Sequence, residues 1–134
     1  MRQTWKAWVA LGALNGLVAV AAGAYAAHWL KAKEQVLLEA FKTGVEYQMI
    51  HALALLAVAW LAERRETTGG NPWAIRAAGA CFALGIALFC GTLYAFGTTG
   101  FVPVRGAAPA GGTLLMAGWL LLALAPIGDR RDRP

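Results

Sequence analysis

Four long apolar stretches dominate this chain, and short charged or glycine- and proline-rich segments separate them. The stretches cover residues 7–30, 44–61, 75–98 and 107–125. Each approaches or exceeds the roughly 20 residues with which an α-helix crosses about 30 Å of hydrocarbon. The sequence therefore predicts an all-α fold, in which residues 1–134 form a single integral membrane domain built as a bundle of four transmembrane helices.

The composition supports a membrane protein and argues against nucleic-acid binding. Hydrophobic residues make up 59% of the chain and charged residues only 14%, whereas soluble domains contain about 25% charged residues. The net charge is +5, but no basic stripe with interleaved aromatic residues offers a nucleic-acid surface. We interpret the positive charge as a sign of topology and of contact with anionic head groups. The expected partners are membrane lipids, with no nucleic acid.

The distribution of Lys and Arg predicts the orientation of the bundle. Eight of these residues lie at the amino terminus, in the second loop and in the carboxyl tail, and four lie in the first and third loops. The side of a membrane that holds more Lys and Arg in its short loops is usually the cytoplasmic side. We therefore expect a multi-pass protein with both termini in the cytoplasm.

The loops also carry structural signals. Residues 33–41, KEQVLLEAF, have helix-forming composition and an apolar flank. We therefore predict a short interfacial amphipathic helix between helices 1 and 2, along the outer surface, with Gly44 as the bend into the second crossing. In the second loop, Gly-Gly and Asn-Pro predict a turn, and Pro72 suits the first turn of the third helix.

Small residues recur along the apolar stretches and predict how the helices pack. Helices in lipid gain little from hydrophobicity against each other, so close backbone approach through glycine favours their association. We expect a tight bundle and also a homo-oligomer that uses one of these faces. The predicted packing glycines are Gly12, Gly16, Gly23, Gly85, Gly91 and Gly118.

Polar side chains in the second apolar stretch are the strongest candidates for a functional site, because hydrocarbon penalises such groups. Tyr47, Gln48 and His51 project within an arc of about 100° on a helix, and His51 is the deepest ionisable group. Glu46 projects away from these three, so we expect it to extend to the interface near Lys42.

Other polar residues of the outer half join this candidate site. Tyr25 and His28 lie near the outer end of the first helix, with Tyr25 close to the expected level of Tyr47. Asn15 lies nearer the cytoplasm, and we expect it to be isolated from the others. The candidate ligand-binding residues are Tyr25, His28, Tyr47, Gln48, His51 and Tyr94.

Two interpretations of this set are open. In the first, the side chains form one outer-leaflet pocket that binds a lipid or a small polar solute. In the second, they hydrogen-bond one another and fix the register of the helices, as buried polar groups do. Two further candidate functions are a non-catalytic scaffold that organises partners through its glycine faces, and proton-coupled transport of a small solute by an oligomer through His51.

The polar residues do not predict an enzyme. Apart from Glu46, the polar pattern of the apolar stretches contains no intramembrane carboxylate, no metal-binding triad and no nucleophile with a neighbouring base, which are the groups that mark an active site. We therefore expect no enzymatic activity, no cofactor and no metal site.

Four segments carry a resemblance to a known family: residues 12–30 (GALNGLVAVAAGAYAAHWL), 41–56 (FKTGVEYQMIHALALL), 85–100 (GIALFCGTLYAFGTTG) and 108–124 (APAGGTLLMAGWLLLAL). On these segments the chain resembles the small bacterial YgdD-like membrane proteins, a family of unknown function with relatives in animal mitochondria. The resemblance implies a four-helix protein of the bacterial inner (plasma) membrane. The departures are modest, such as GAYAAH at 23–28 where the family usually has GAFGAH. Because the family has no established activity, the resemblance leaves the mechanism open.

Overall fold

The computed structural model describes residues 4–127, apart from the side chains of Glu66 and Thr68. Over this range the chain forms four α-helices and no β-strand: α1 (Thr4–Trp29), α2 (Gln35–Thr68), α3 (Pro72–Thr99) and α4 (Ala107–Leu124). Each helix is long and apolar enough to cross a membrane. The predicted all-α, four-helix fold is confirmed. The predicted orientation also depends on charges that lie outside the described residues, namely Arg2, Arg130, Arg131 and Arg133.

The second helix differs from the prediction, because it is one continuous helix of 34 residues. At about 1.5 Å per residue it is about 51 Å long, which exceeds a hydrocarbon core of about 30 Å. Most of segment 33–41, predicted as a separate interfacial helix, instead supplies the first turns of α2. The helix passes through Gly44 without a break. A Cβ at Gly44 would lie 2.9 Å from Cε1 of Tyr94 on α3, so this glycine allows α2 to pack closely against α3.

The helices pack in chain order, α1 against α2, α2 against α3 and α3 against α4. Neighbouring α1 and α2 run in opposite directions, because Gly12 early in α1 approaches Ala52 on α2, whereas Gly23 approaches Val45. The main core lies among α2, α3 and α4. Its fully buried side chains include Leu55, Val58, Phe82 and Cys90.

The end of the molecule that carries the α1–α2 and α3–α4 connections is called the outer end here, after its predicted side of the membrane. A second apolar cluster of Ala26, Leu30 and Phe41 joins α1 to α2 at this end. Lys33 extends from the connection and donates a hydrogen bond of 3.0 Å to the carbonyl oxygen of Thr98. Because the C-terminus of a helix carries partial negative charge, this lysine stabilises the end of α3.

The predicted packing glycines divide into two groups. An added Cβ would lie 3.0 Å from the Ala52 carbonyl at Gly12, 3.0 Å from the Gly111 carbonyl at Gly85 and 2.6 Å from the Phe82 ring at Gly118. At Gly23 it would be in ordinary contact with Val45, at 3.4 Å. Around Gly16 and Gly91, by contrast, the described part of the chain places nothing within 4 Å of an added Cβ. Within the described residues, a side chain added at either of these two glycines would therefore enter open space.

The connection between α2 and α3 has the predicted turn chemistry. Gly69 and Gly70 have positive φ angles of 79° and 134°, which glycine adopts with little strain. Asn71 then caps α3, because its side-chain oxygen accepts hydrogen bonds from the backbone N–H groups of Trp73 at 3.0 Å and Ala74 at 3.2 Å. Pro72 occupies the first turn of the helix. The predicted turn and the predicted position of this proline are confirmed.

Candidate functional site

Gln48 on α2 connects three helices through its side-chain amide. Its Nε2 donates to Oδ1 of Asn15 on α1 at 3.0 Å, and its Oε1 accepts from the hydroxyl of Tyr94 on α3 at 2.5 Å. Asn15 in turn donates to the carbonyl oxygen of Leu11 at 2.9 Å. Gln48 is 5% exposed, so leaving either end of its amide without a partner would be unfavourable.

The position of Asn15 differs from the prediction that it would be isolated. The crossing of α1 and α2 sets this register, because Gly12 lies against the carbonyl of Ala52. Asn15 is about one turn further along α1 than Gly12, and Gln48 is about one turn earlier on the antiparallel α2 than Ala52. The two amides therefore lie at the same level and bond each other.

His51, one turn further along α2, connects this helix to α4. The indole Nε1 of Trp119 donates to Nε2 of His51 at 3.0 Å, and an indole nitrogen can only donate. Nε2 must therefore accept, which leaves the ring proton on Nδ1. That proton is donated to the carbonyl oxygen of Tyr47 at 2.6 Å. This hydrogen-bond pattern defines a neutral imidazole with both nitrogens occupied.

Aromatic rings enclose the imidazole. The centroid of the His51 ring lies 5.6 Å from that of Phe82, 5.8 Å from that of Trp119 and 5.9 Å from that of Tyr47. His51 is 4% exposed. In the described part of the chain, every buried side-chain nitrogen and oxygen has a hydrogen-bond partner. The arrangement holds helices in register, and neither ring nitrogen is available to a ligand without breaking a bond.

Two other predicted site residues, Tyr25 and His28, are exposed near the outer end of the bundle. Tyr25 is 41% exposed and its ring packs against those of Trp29 and Phe41, at centroid distances of 5.7 and 5.8 Å. His28 is exposed beside Trp29, with ring centroids 5.8 Å apart. Tyr25 thus packs beside Phe41, nearer the outer end than the predicted level beside Tyr47, because the register of the two antiparallel helices already places Gly23 beside Val45.

The predicted set is therefore divided in two. Gln48, His51 and Tyr94 belong to the buried network, whereas Tyr25 and His28 lie at the outer surface. Tyr47 borders both, because its backbone carbonyl accepts from His51 while its ring, 41% exposed, packs 4.8 Å from that of Phe89. The structure does not bring these six residues into one pocket.

A groove between α1 and α2 at the outer end provides space that the polar network does not. It has a volume of about 420 Å³. Small and apolar residues form most of its walls, and three charged side chains line it as well. We call this space the α1–α2 groove, and its lining residues are Gly23, Ala26, Ala27, Lys31, Leu38, Lys42, Val45 and Glu46.

The groove is not evident from the sequence, although part of its pattern is visible there. Lys42 and Glu46 are four residues apart, so they share one face of a helix, together with the apolar Leu38 and Val45. What the sequence does not show is that the small residues of α1 lie opposite this face. Within the described residues, no group of three or more His, Cys, Asp or Glu side chains could hold a metal ion.

Comparison with known proteins places the chain in a family. Residues 22–112 match the family described as "Protein of unknown function (DUF423)". The chain is 36% identical to the UPF0382 membrane protein YwdK of Bacillus subtilis (strain 168) over 123 residues, which are 91% of this chain and 97% of that protein. It is 41% identical to a UPF0382 membrane protein of Haemophilus influenzae over 117 residues, 87% of this chain and 90% of that protein.

A third relative is YgdD itself, the protein after which the resembling family was named under Sequence analysis. The chain is 34% identical to the UPF0382 inner membrane protein YgdD of Escherichia coli (strain K12) over 120 residues, 89% of this chain and 88% of that protein. No solved structure matches the chain. The predicted resemblance is confirmed. With four helices long and apolar enough to cross a membrane, and with membrane-protein relatives aligned over most of its length, this chain is a membrane protein that belongs to the DUF423 family of unknown function.

Proposed function

We propose that this protein binds a phospholipid in the α1–α2 groove, in the outer leaflet of the bacterial inner membrane, with both of its termini in the cytoplasm. The observation that carries the proposal is the composition of the groove. One space of about 420 Å³ combines apolar walls with basic side chains at the outer end of the bundle. The acyl chains of a phospholipid match the apolar walls, and its phosphate matches the basic side chains.

The walls of the groove suit a lipid tail. Gly23, Ala26 and Ala27 leave α1 without large side chains on this face, and Leu38 and Val45 supply apolar surface from α2. Contact with hydrocarbon alone gives little selectivity in a bilayer, because lipid tails are as apolar as the helices. The discrimination therefore has to come from the charged residues.

Two lysines provide attraction for a phosphate. Lys31 follows the end of α1 and Lys42 lies on α2, and both line the groove. Lys33 is engaged with the Thr98 carbonyl, whereas among the described residues neither Lys31 nor Lys42 has a side-chain hydrogen bond or an ion pair. A lysine near the bilayer surface contributes about 1 kcal/mol of attraction to anionic groups.

The polar network supports the groove by fixing its walls. The Gln48–Asn15 hydrogen bond joins the same two helices, about one turn from Val45. Proton transport through His51 would require a titrating group with access to water, and both of its ring nitrogens are bonded within the bundle. That bonding favours a structural role for His51 over proton transport.

The test measures whether the protein retains a lipid after a large side chain has been introduced into the groove. Ala27 is exposed and lines the groove, whereas Ala24 is an exposed alanine of α1 that does not line it. We expect Ala27→Phe to lose a lipid that the wild-type protein retains in native mass spectrometry from mild detergent, and Ala24→Phe to retain it. Equal retention by both variants, with both correctly folded, would contradict the proposal.

A second candidate function is a non-catalytic membrane interaction protein, and the open glycines favour it. Gly16 and Gly91 have free space around them within the described chain, and small residues of this kind allow a helix of another subunit to approach closely. In this case Gly16→Leu or Gly91→Leu would reduce cross-linked dimers in native membranes without changing stability. A protein that is monomeric before either substitution would remove this candidate.

A further inference from the structure

We infer that the α1–α2 groove selects a headgroup that carries an ammonium as well as a phosphodiester, as in phosphatidylethanolamine. This inference rests on the proposed lipid-binding function and adds the class of headgroup. It comes from the third charged residue of the groove, Glu46, whose carboxylate would repel the phosphate that the lysines attract.

Within the part of the chain that the structure describes, the Glu46 side chain has no charged or hydrogen-bonding partner. It lies one helical turn below Lys42 on the same face of α2, about 6 Å deeper along the helix. That spacing permits an ion pair, yet within residues 4–127 the Glu46 carboxylate forms no ion pair and no side-chain hydrogen bond. A carboxylate near the edge of the hydrocarbon is unfavourable without a cation or a hydrogen-bond donor. A ligand with an N–H donor would supply one.

The charges of the groove match a zwitterionic headgroup. Lys31 and Lys42 present two positive charges to a phosphodiester, and Glu46 presents one negative charge to an ammonium. Phosphatidylglycerol would satisfy the lysines but would offer Glu46 only neutral hydroxyl groups. Because an ammonium adds the attraction between opposite charges to its hydrogen bond, it is a better partner for the carboxylate than a hydroxyl group.

The experiment measures headgroup preference with a substitution that removes one charge. The full chain is placed in nanodiscs of equimolar phosphatidylethanolamine and phosphatidylglycerol with identical acyl chains, and the retained lipid is identified by native mass spectrometry. We expect the wild-type protein to retain phosphatidylethanolamine preferentially. Glu46→Gln keeps the size of the side chain and should reduce that preference by about fivefold. Glu63→Gln, at the other end of α2, is the matched control and should leave it unchanged.

Two further variants separate this inference from the function on which it rests. Lys31→Gln combined with Lys42→Gln should reduce retention of both lipids. If Ala27→Phe abolishes lipid retention but Glu46→Gln has the same headgroup ratio as the wild-type protein, the headgroup inference is overturned and lipid binding stands. If Ala27→Phe retains as much lipid as the wild-type protein, the proposed function itself fails. A wild-type preference for phosphatidylglycerol would also overturn the inference.

Discussion

Gln48 shows how one side chain organises this bundle. Its amide has a donor end and an acceptor end, and each end bonds a different helix. No apolar residue of similar size could replace both bonds. The neighbouring His51 extends the same principle to α4 through Trp119. Adjacent turns of α2 thus connect this helix to each of the other three.

Replacing Gln48 with leucine should therefore destabilise the protein. The change leaves the Tyr94 hydroxyl and Oδ1 of Asn15 without their partner, at a cost of about 1–2 kcal/mol. The measurement is the free energy of unfolding in detergent micelles, by titration with a denaturing detergent. Thr113→Val is the control, because Thr113 is exposed and its hydroxyl, among the described residues, donates to the Pro109 carbonyl of its own helix and to no other helix. If the Gln48→Leu protein is as stable as this control, the hydrogen bonds of Gln48 do not stabilise the bundle.

The sequence made some of these residues predictable and not others. Helical projection places Gln48 and His51 on one stripe because they belong to a single helix. Their partners belong to other helices, and the register between helices depends on contacts such as that of Gly12 with Ala52. For this reason the sequence pattern predicts an isolated Asn15 and does not pair Trp119 with His51.

At the scale of the helices, the crossing of α3 and α4 depends on backbone contact. Gly85 and Gly111 face each other there, and an added Cβ on either one would lie 3.0 Å from the carbonyl oxygen of the other. Helices in lipid associate through such close approaches. The glycine-rich first turns of α4 therefore allow this helix to pack closely against α3.

Two adjacent glycines of α4 provide a matched pair for this claim. A Cβ at Gly111 would lie 2.5 Å from the backbone nitrogen of Phe89, whereas a Cβ at Gly112 would lie 3.8 Å from the Phe89 ring. We expect Gly111→Ala to destabilise the protein by about 1–3 kcal/mol, because backbone atoms would have to move. Gly112→Ala should be neutral or stabilising by up to about 1 kcal/mol. The measurement is thermal unfolding in detergent. Equal effects of the two substitutions on stability would contradict the claim that the α3–α4 crossing depends on close backbone contact at Gly111.

The helix boundaries were predictable where composition changes sharply. The turn between α2 and α3 was predicted because glycine, asparagine and proline are needed there in that order. The beginning of α2 was not, because KEQVLLEAF at 33–41 is equally compatible with an interfacial helix and with the first turns of a long one. In the continuous helix, Gly44 contacts Tyr94 of α3. A contact between residues so far apart in the chain cannot be read from the local sequence.

At the scale of the whole molecule, the even number of crossings and the charge distribution predict the orientation. Phe101 is exposed in the α3–α4 connection, and Arg65 is exposed at the opposite end of the bundle. In a background without Cys81 and Cys90, we expect a membrane-impermeant maleimide to label Phe101→Cys in intact spheroplasts. Arg65→Cys should react only after permeabilisation, because that end is predicted to be cytoplasmic. The reverse labelling pattern would contradict the orientation.

The groove illustrates what the whole molecule adds to its elements. Each of its residues could be read in the sequence, but the space exists only because the small residues of α1 face Leu38 and Val45 across the helix pair. This juxtaposition combines two faces that are far apart in the chain. The proposed lipid site therefore depends on the register of α1 against α2 more than on any single residue.

The most direct measurement is the position at which a lipid contacts the protein. A phospholipid with a photoreactive group in its acyl chain is cross-linked to the full chain in nanodiscs, and the labelled peptides are identified by mass spectrometry. Our account predicts that the adducts concentrate in residues 23–46 and decline in Ala27→Phe. Adducts spread evenly over the exposed apolar surfaces of all four helices, and unchanged in Ala27→Phe, would contradict it.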